Sequence, residues 1–213
     1  NKYLFKTLKE KVGKFKTIGV DFGSITLLEK KWLSKNLGGK LVDLNKDLKE
    51  LRETKTKKEI SIIEECAKFG DEVFDLTVAN FTGFNTELDV KNFIDEQIRS
   101  RGFDPAFETV VNSGVNACHG HFSAQDEKLK RGFCIIDFGV KINNYNSDMT
   151  RTVFVGKPNL DELNEYEKIR KVQQLCVDSV KVGMKFSELD KIARDSIGKN
   201  LIHALGHGLG LEV

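Results

Sequence analysis

The stretch IIDFGVKINNYNSDMTRT, residues 135–152, decides the fold. An apolar run, Phe133 to Ile136, ends abruptly on Asp137. An Asn-rich break, Asn143 to Ser147, ends on Asp148, and the chain is β-prone again from Thr150 to Val155. Apolar segment, polar break and second β-prone segment spell a hairpin. With its loop centred between Ile142 and Asn143, Asp137 and Asp148 are expected to face each other, with Cβ atoms ~4.5–5.5 Å apart. Two carboxylates so placed repel, so either one holds a raised pKa or a cation stands between them. A different register would leave both as solvated turn acids, and the pair needs support from elsewhere in the chain.

The chain has 213 residues, enough to bury a sizeable core. Charged residues make up 31% and nearly cancel to a net +2, which gives no bias toward nucleic acid or a membrane surface. Its apolar runs fall far short of a membrane span. Cys66, Cys118, Cys134 and Cys176 form no CxxC pair, and three of them lie in apolar-periodic segments. That usage fits a reducing cytoplasm. The first residue is Asn1 rather than Met, so further residues are expected upstream.

Residues 1–51 read as the end of an α/β domain. A strand over 16–20, a helix from Ser24 to Asn36 stopped by Gly38-Gly39, and a strand over 40–43 cannot bury both faces alone. Asp-Phe-Gly occurs at 21–23 and again at 137–139, but no Gly-rich or HRD-like loop accompanies either copy, which rejects a kinase. A basic connector, Arg52 to Lys58, leads into a long helix capped by Thr56 and Glu59, with Ile60, Ile63, Ala67 and Phe74 as its apolar stripe. Thr86 opens a second helix that turns Val90, Phe93, Ile94 and Ile98 inward and stops at Gly102. A strand over 107–112 precedes the hairpin. Asp161 to Val182 then reads as a helix carrying Ile169, Val172, Cys176 and Val180, and Ser187 to Asp190 caps another. A last strand is expected around 201–210. The layout is α+β, with helices on one face of a largely antiparallel sheet.

His119 and His121 follow a loop that leaves a strand at Ser113-Gly114, while His203 and His207 lie four apart in a Gly-rich run. Ala204 stands where HExxH needs Glu, so this is not the zincin pattern. Any one of these histidines taken singly is more simply structural. Carboxylates on one face together with a Gly-flanked histidine suit a divalent ion such as Mn, Co, Fe or Zn.

Ser113-Gly114 to His121, Asp137-Phe138-Gly139, Asn146 to Thr152 and Gly206 to Val213 together resemble the pita-bread metallopeptidases, most closely the prolidase (Xaa-Pro dipeptidase) and aminopeptidase P branch. The resemblance covers residues 52–213, and 1–51 resembles the tail of that branch's separate N-terminal domain. It implies a pita-bread fold and a metal-dependent exopeptidase that hydrolyses Xaa-Pro dipeptides through a water activated by two divalent ions, Mn or Co first, Fe or Zn as alternatives. It implies Asp137 as a carboxylate on one ion, Asp148 as the bridge between both and His207 as the imidazole on the other. His121 is implied as the catalytic histidine, with His119 and His203 as secondary substrate-binding candidates. A short peptide substrate and a homodimer are implied, with no nucleic-acid or membrane partner.

The sequence departs from the family in four ways. Two further glutamate ligands are expected beyond Val213, so this polypeptide alone is expected to lack a complete site and to be inactive. Gly132 runs straight into Phe133 where the family has Gly-Asp, and the interval from Ala193 to Leu201 is short. Gly120 stands before His121, which leaves His119 as an alternative for its role. Xaa-Pro aminopeptidase and methionine aminopeptidase are alternatives within the class, and a metal-free binding module on the same fold is the alternative outside it.

Overall fold

Residues 2–11, 15–119 and 122–213 are described by a computed structural model, and the chain divides into two units, 1–56 and 57–213. The first unit contains α1 (Lys2–Lys11), β1 (Thr17–Val20), α2 (Leu27–Leu37), β2 (Lys40–Asp43) and α3 (Asn45–Glu53). β1 and β2 pair in parallel with α2 as the crossover between them. α2 starts later than expected because Ser24 is engaged in the preceding turn, where its hydroxyl donates to Asp21 Oδ2 at 2.6 Å. Thr26 is the N-cap instead, in a capping box with Glu29, and Gly38 ends the helix at φ 68°. A further helix not expected from the sequence, α3, absorbs Arg52 and leaves a connector shorter than expected. The first Asp-Phe-Gly is a strand-exit turn. Asp21 accepts from the Ser24 hydroxyl, the Asn45 amide and the Gly23 N–H, and these bonds hold its carboxyl down to about 2.

The second unit opens with α4 (Lys57–Asn80) and α5 (Glu87–Ser100). Next come β3 (Asp104–Pro105), β4 (Val110–Ser113), β5 (Gly132–Phe138), β6 (Val140–Ile142), β7 (Tyr145–Asn146) and β8 (Met149–Val155), then α6 (Leu160–Ser179) and α7 (Phe186–Ile197). The strands form two antiparallel sheets, ordered β4-β5-β8 and β3-β6-β7. Along β5, Cys134, Ile136 and Phe138 alternate into a core shared with Cys66, Phe69 and Val73 of α4 and Val90, Ile94 and Ile98 of α5. Helices α4 and α5 therefore cover one side of the sheet, as expected.

Thr86 caps α5 in a box with Asp89, and its inward row is the one read from the sequence, with Phe93 only half-buried. The stripe of α4 is different. Ile60 and Ala67 are exposed, whereas Cys66, Phe69, Val73 and Thr77 are buried. The hairpin selects that row, because Ser147 Oγ donates to Cys66 O and Cys66 Sγ to Tyr145 O. On α6 only Cys176 of the expected row is buried; Ile169 and Val180 are exposed and Val172 is half-buried. That helix packs against α7 and meets β5 through Tyr166, whose ring stacks on Phe133, so these two contacts and not the apolar period alone set its inward side. Asn159 caps α6 with Glu162, and Glu188 accepts from the Lys185 N–H at the start of α7. The last expected strand does not form. Among the described residues 201–213 make no ladder, consistent with glycines at 206, 208 and 210, which weaken a strand.

Gly139 marks the break between β5 and β6, where the backbone of the returning strand comes close. A Cβ there would lie 1.9 Å from Ser147 O and 2.9 Å from Ala106 Cβ. Gly139→Ala is expected to lower unfolding free energy by ~1–3 kcal/mol or more, read by urea titration. The Asp21 carboxyl is held low in the folded chain, so its contribution is present above ~4 and is lost as pH falls toward 2. The gap in melting temperature between the natural sequence and Asp21→Asn should therefore be open at pH 6 and close on acidification.

Candidate functional site

The hairpin tip is a two-residue turn of Asn143 and Asn144, at φ 50° and 68°. Both residues are left-handed, as a type I′ turn requires, and Asn tolerates that conformation better than most side chains. The centre therefore lies between the two asparagines, one residue from where the sequence reading put it. This corrects the facing-carboxylate expectation. Asp137 is opposite Thr150, and Phe138 is opposite Met149. Phe138, Ser147 and Met149 turn toward the helices, which leaves Asp137 and Asp148 on the other side of the sheet. They share that face as diagonal neighbours, a relation with Cα atoms ~7–8 Å apart, where direct repulsion is weaker than between opposed residues.

The Gly-rich segment reaches the same face through Asn146. Its N–H and its Nδ2 both donate to Gly210 O, at 2.8 and 3.1 Å, and Asn146 is 1% exposed. That tether accompanies a close approach of His207 to Asp148, with Nε2 3.2 Å from Oδ2. The other ring nitrogen, Nδ1, lies 2.9 Å from Gly208 O. A carbonyl can only accept, so Nδ1 carries the hydrogen. Nε2 then meets the carboxylate either protonated or with a cation between its lone pair and the carboxylate. Two ligands each ~2.0–2.2 Å from one divalent ion stand ~3 Å apart, so the pair fits joint ligation of an ion.

Of the other described histidine candidates, neither His119 nor His203 joins this pair in a metal-holding group. Among the described residues no group of three or more His, Cys, Asp or Glu side chains stands where it could hold a metal. His203 is exposed, with Nδ1 2.6 Å from Ala204 O, and its carbonyl accepts from Arg194 on α7. His119 is exposed and its ring centroid lies 6.0 Å from that of Phe122. His121 lies outside the described residues.

Two residues were not singled out from the sequence. Glu87, the first residue of α5, is 0% exposed and binds the loop leaving β4. Its Oε1 accepts from the Ser113 N–H, the Ser113 hydroxyl and Asn116 Nδ2, and its Oε2 from the Gln125 N–H. Asn112, on the sheet side opposite buried Val111, has Nδ2 3.5 Å from His119 O, and its buried Oδ1 meets no donor among the described residues. An acid just after a helix cap is the one local sign that marks Glu87, and it does not reveal burial. Burial, with the Glu87 charge as a smaller contribution, pushes the neighbouring Cys134 thiol up to about 12, so Cys134 is a packing residue rather than a nucleophile.

The family model for metallopeptidase family M24 matches residues 61–213. The chain belongs to this family. The chain is similar to the Xaa-Pro dipeptidase of Pyrococcus furiosus, 38% identical over 173 residues, which are 78% of this chain and 50% of that protein. The prolidase from Pyrococcus horikoshii OT3 superposes with a TM-score of 0.89 at 30% identity, over 98% of this chain and 62% of that one. The X-Pro aminopeptidase of Thermotoga maritima gives 0.86 at 29% identity, over 99% of this chain and 61% of that one. The α+β architecture is thus that of the prolidase catalytic domain, and the chain spans about half the length of the curated relatives it matches. No helix among the described residues is long and apolar enough to cross a membrane.

Proposed function

We propose that this chain is part of a metal-dependent exopeptidase that hydrolyses Xaa-Pro dipeptides. The observation that carries the reading is the 3.2 Å approach of His207 Nε2 to Asp148 Oδ2 on the sheet side facing away from the helices. In this reading Asp137, Asp148 and His207 are metal ligands, with two glutamates following in sequence, as the family resemblance implies, to complete the set. A bound pair of divalent ions, Mn or Co, would supply a water of lowered pKa and polarise the scissile carbonyl.

The chain's own residues have definite tasks. The Nδ1–H of His207 donates to Gly208 O, which fixes the tautomer and presents Nε2 as a ligand. Asp148 supplies negative charge to the same point, and Asp137 supplies more from the diagonal position on that face. His121 is proposed to steady the developing oxyanion, with His119 and His203 as lesser contacts to the peptide. The similarity to an X-Pro aminopeptidase keeps longer Xaa-Pro peptides as a second substrate reading. A homodimer in the cytoplasm completes the proposal.

The full-length protein loaded with Mn or Co is expected to cleave a Xaa-Pro dipeptide. Metal catalysis contributes several kcal/mol of transition-state stabilisation, so Asp148→Asn should cost ~10²-fold or more in kcat/KM. Turnover that survives both a chelator and Asp148→Asn would overturn the metal mechanism.

A further inference from the structure

We infer that Glu87 is a positioning residue, a buried clasp that holds the histidine-bearing loop after β4 against the N-terminus of α5. The inference rests on the peptidase reading for its catalytic consequence and on geometry alone for the clasp.

A carboxylate with no exposure is costly to bury unless its oxygens are satisfied. Those of Glu87 are satisfied from both ends of one loop. Oε1 takes the Ser113 N–H at 2.8 Å, the Ser113 hydroxyl at 2.9 Å and Asn116 Nδ2 at 3.0 Å. Oε2 takes the Gln125 N–H at 3.3 Å. The stretch between the two ends contains His119 and His121 in sequence. Backbone bonds extend the seam, with Glu87 N–H donating to Glu127 O, Leu88 N–H to Gln125 O and Leu129 N–H to Asn85 O. Ser113 Oγ also accepts from the Lys130 N–H, so the hydroxyl that binds Glu87 ties the return strand as well.

The position on the helix favours this use. Glu87 is in the first turn of α5, where the aligned peptide dipoles of the helix favour negative charge. Thr86 and Asp89 already cap the helix, so the Glu87 carboxylate is left for the loop. Charged acceptors make stronger hydrogen bonds than neutral ones. One carboxylate thereby fixes where the loop begins and where it returns. A side chain on that loop would otherwise be placed only by a flexible connection.

Glu87→Gln tests this without leaving a cavity. A glutamine whose oxygen keeps the Ser113 and Asn116 donors turns its NH2 group toward the Gln125 N–H, donor against donor. In the full-length protein, hydrogen exchange at Gln125 and its loop neighbours should rise by about tenfold or more, while amides of the Val90–Ile98 core turns stay protected. kcat for a Xaa-Pro dipeptide should fall about tenfold or more, with KM changed less. Asn116→Ala, which leaves the buried carboxylate in place, should loosen the same loop to a smaller degree. Unchanged exchange at Gln125, or a rise spread equally over α4 and α5, would overturn the clasp. Unchanged kcat with a loosened loop would overturn the positioning role. If the unaltered protein cleaves no Xaa-Pro peptide, the peptidase reading and with it the positioning role fall, while the exchange result still decides the clasp.

Discussion

Asn146 donates twice to the carbonyl of Gly210, once from its backbone and once from its side chain, inside a site almost closed to water. The C-terminal run from Leu201 to Val213 makes no ladder among the described residues, so these bonds are its link to the hairpin. Buried donors left without a partner cost ~1–3 kcal/mol each, which gives the junction a strong preference for the docked state. His207 lies three residues before that junction, and Asp148 two residues after Asn146. The approach of imidazole to carboxylate is therefore a consequence of where the backbone is pinned. Upstream of His207 the run is held to α7, where Arg194 donates to the Leu201 and His203 carbonyls and the Leu205 N–H donates to Asp190 Oδ1; the junction holds it downstream.

The sheet separates the apolar core from the face that carries the two carboxylates. On one side Ile136, Phe138 and Val111 pack against α4 and α5 and supply the apolar burial. On the other, Asp137 and Asp148 share a face, with the Gly-rich segment brought to it through Asn146. Period-two alternation along β5 makes both assignments at once, because a core residue on each side of Asp137 fixes Asp137 on the opposite face. Gly139 allows the transition from β5 to β6 at the point where Ser147 O approaches most closely.

What the sequence disclosed follows from how local each feature is. The cap of Thr86 and the row Val90, Ile94, Ile98 are set within one helix, and both were legible. The hairpin was legible too, but its register depended on two adjacent asparagines adopting left-handed conformations, which composition alone does not reveal. On α4 two apolar rows run one residue apart, and only the hairpin's contacts with Cys66 choose between them. Glu87 was read past because its partners lie 26 to 38 residues away. The last strand expected around residues 201–210 does not form among the described residues, because ladder partners are a tertiary matter. His207 was picked out by its glycine neighbours, yet its approach to Asp148 accompanies a buried tether that no local pattern shows.

We propose that Asp148 and His207 hold one ion between them. Calorimetric Co(II) titration of the full-length protein, its Asp148→Asn and His207→Ala forms and the double variant tests it most directly. Joint ligation predicts strongly non-additive losses, with each single change removing nearly as much affinity as both together. Losses that simply add, or affinity untouched by either change, would contradict it.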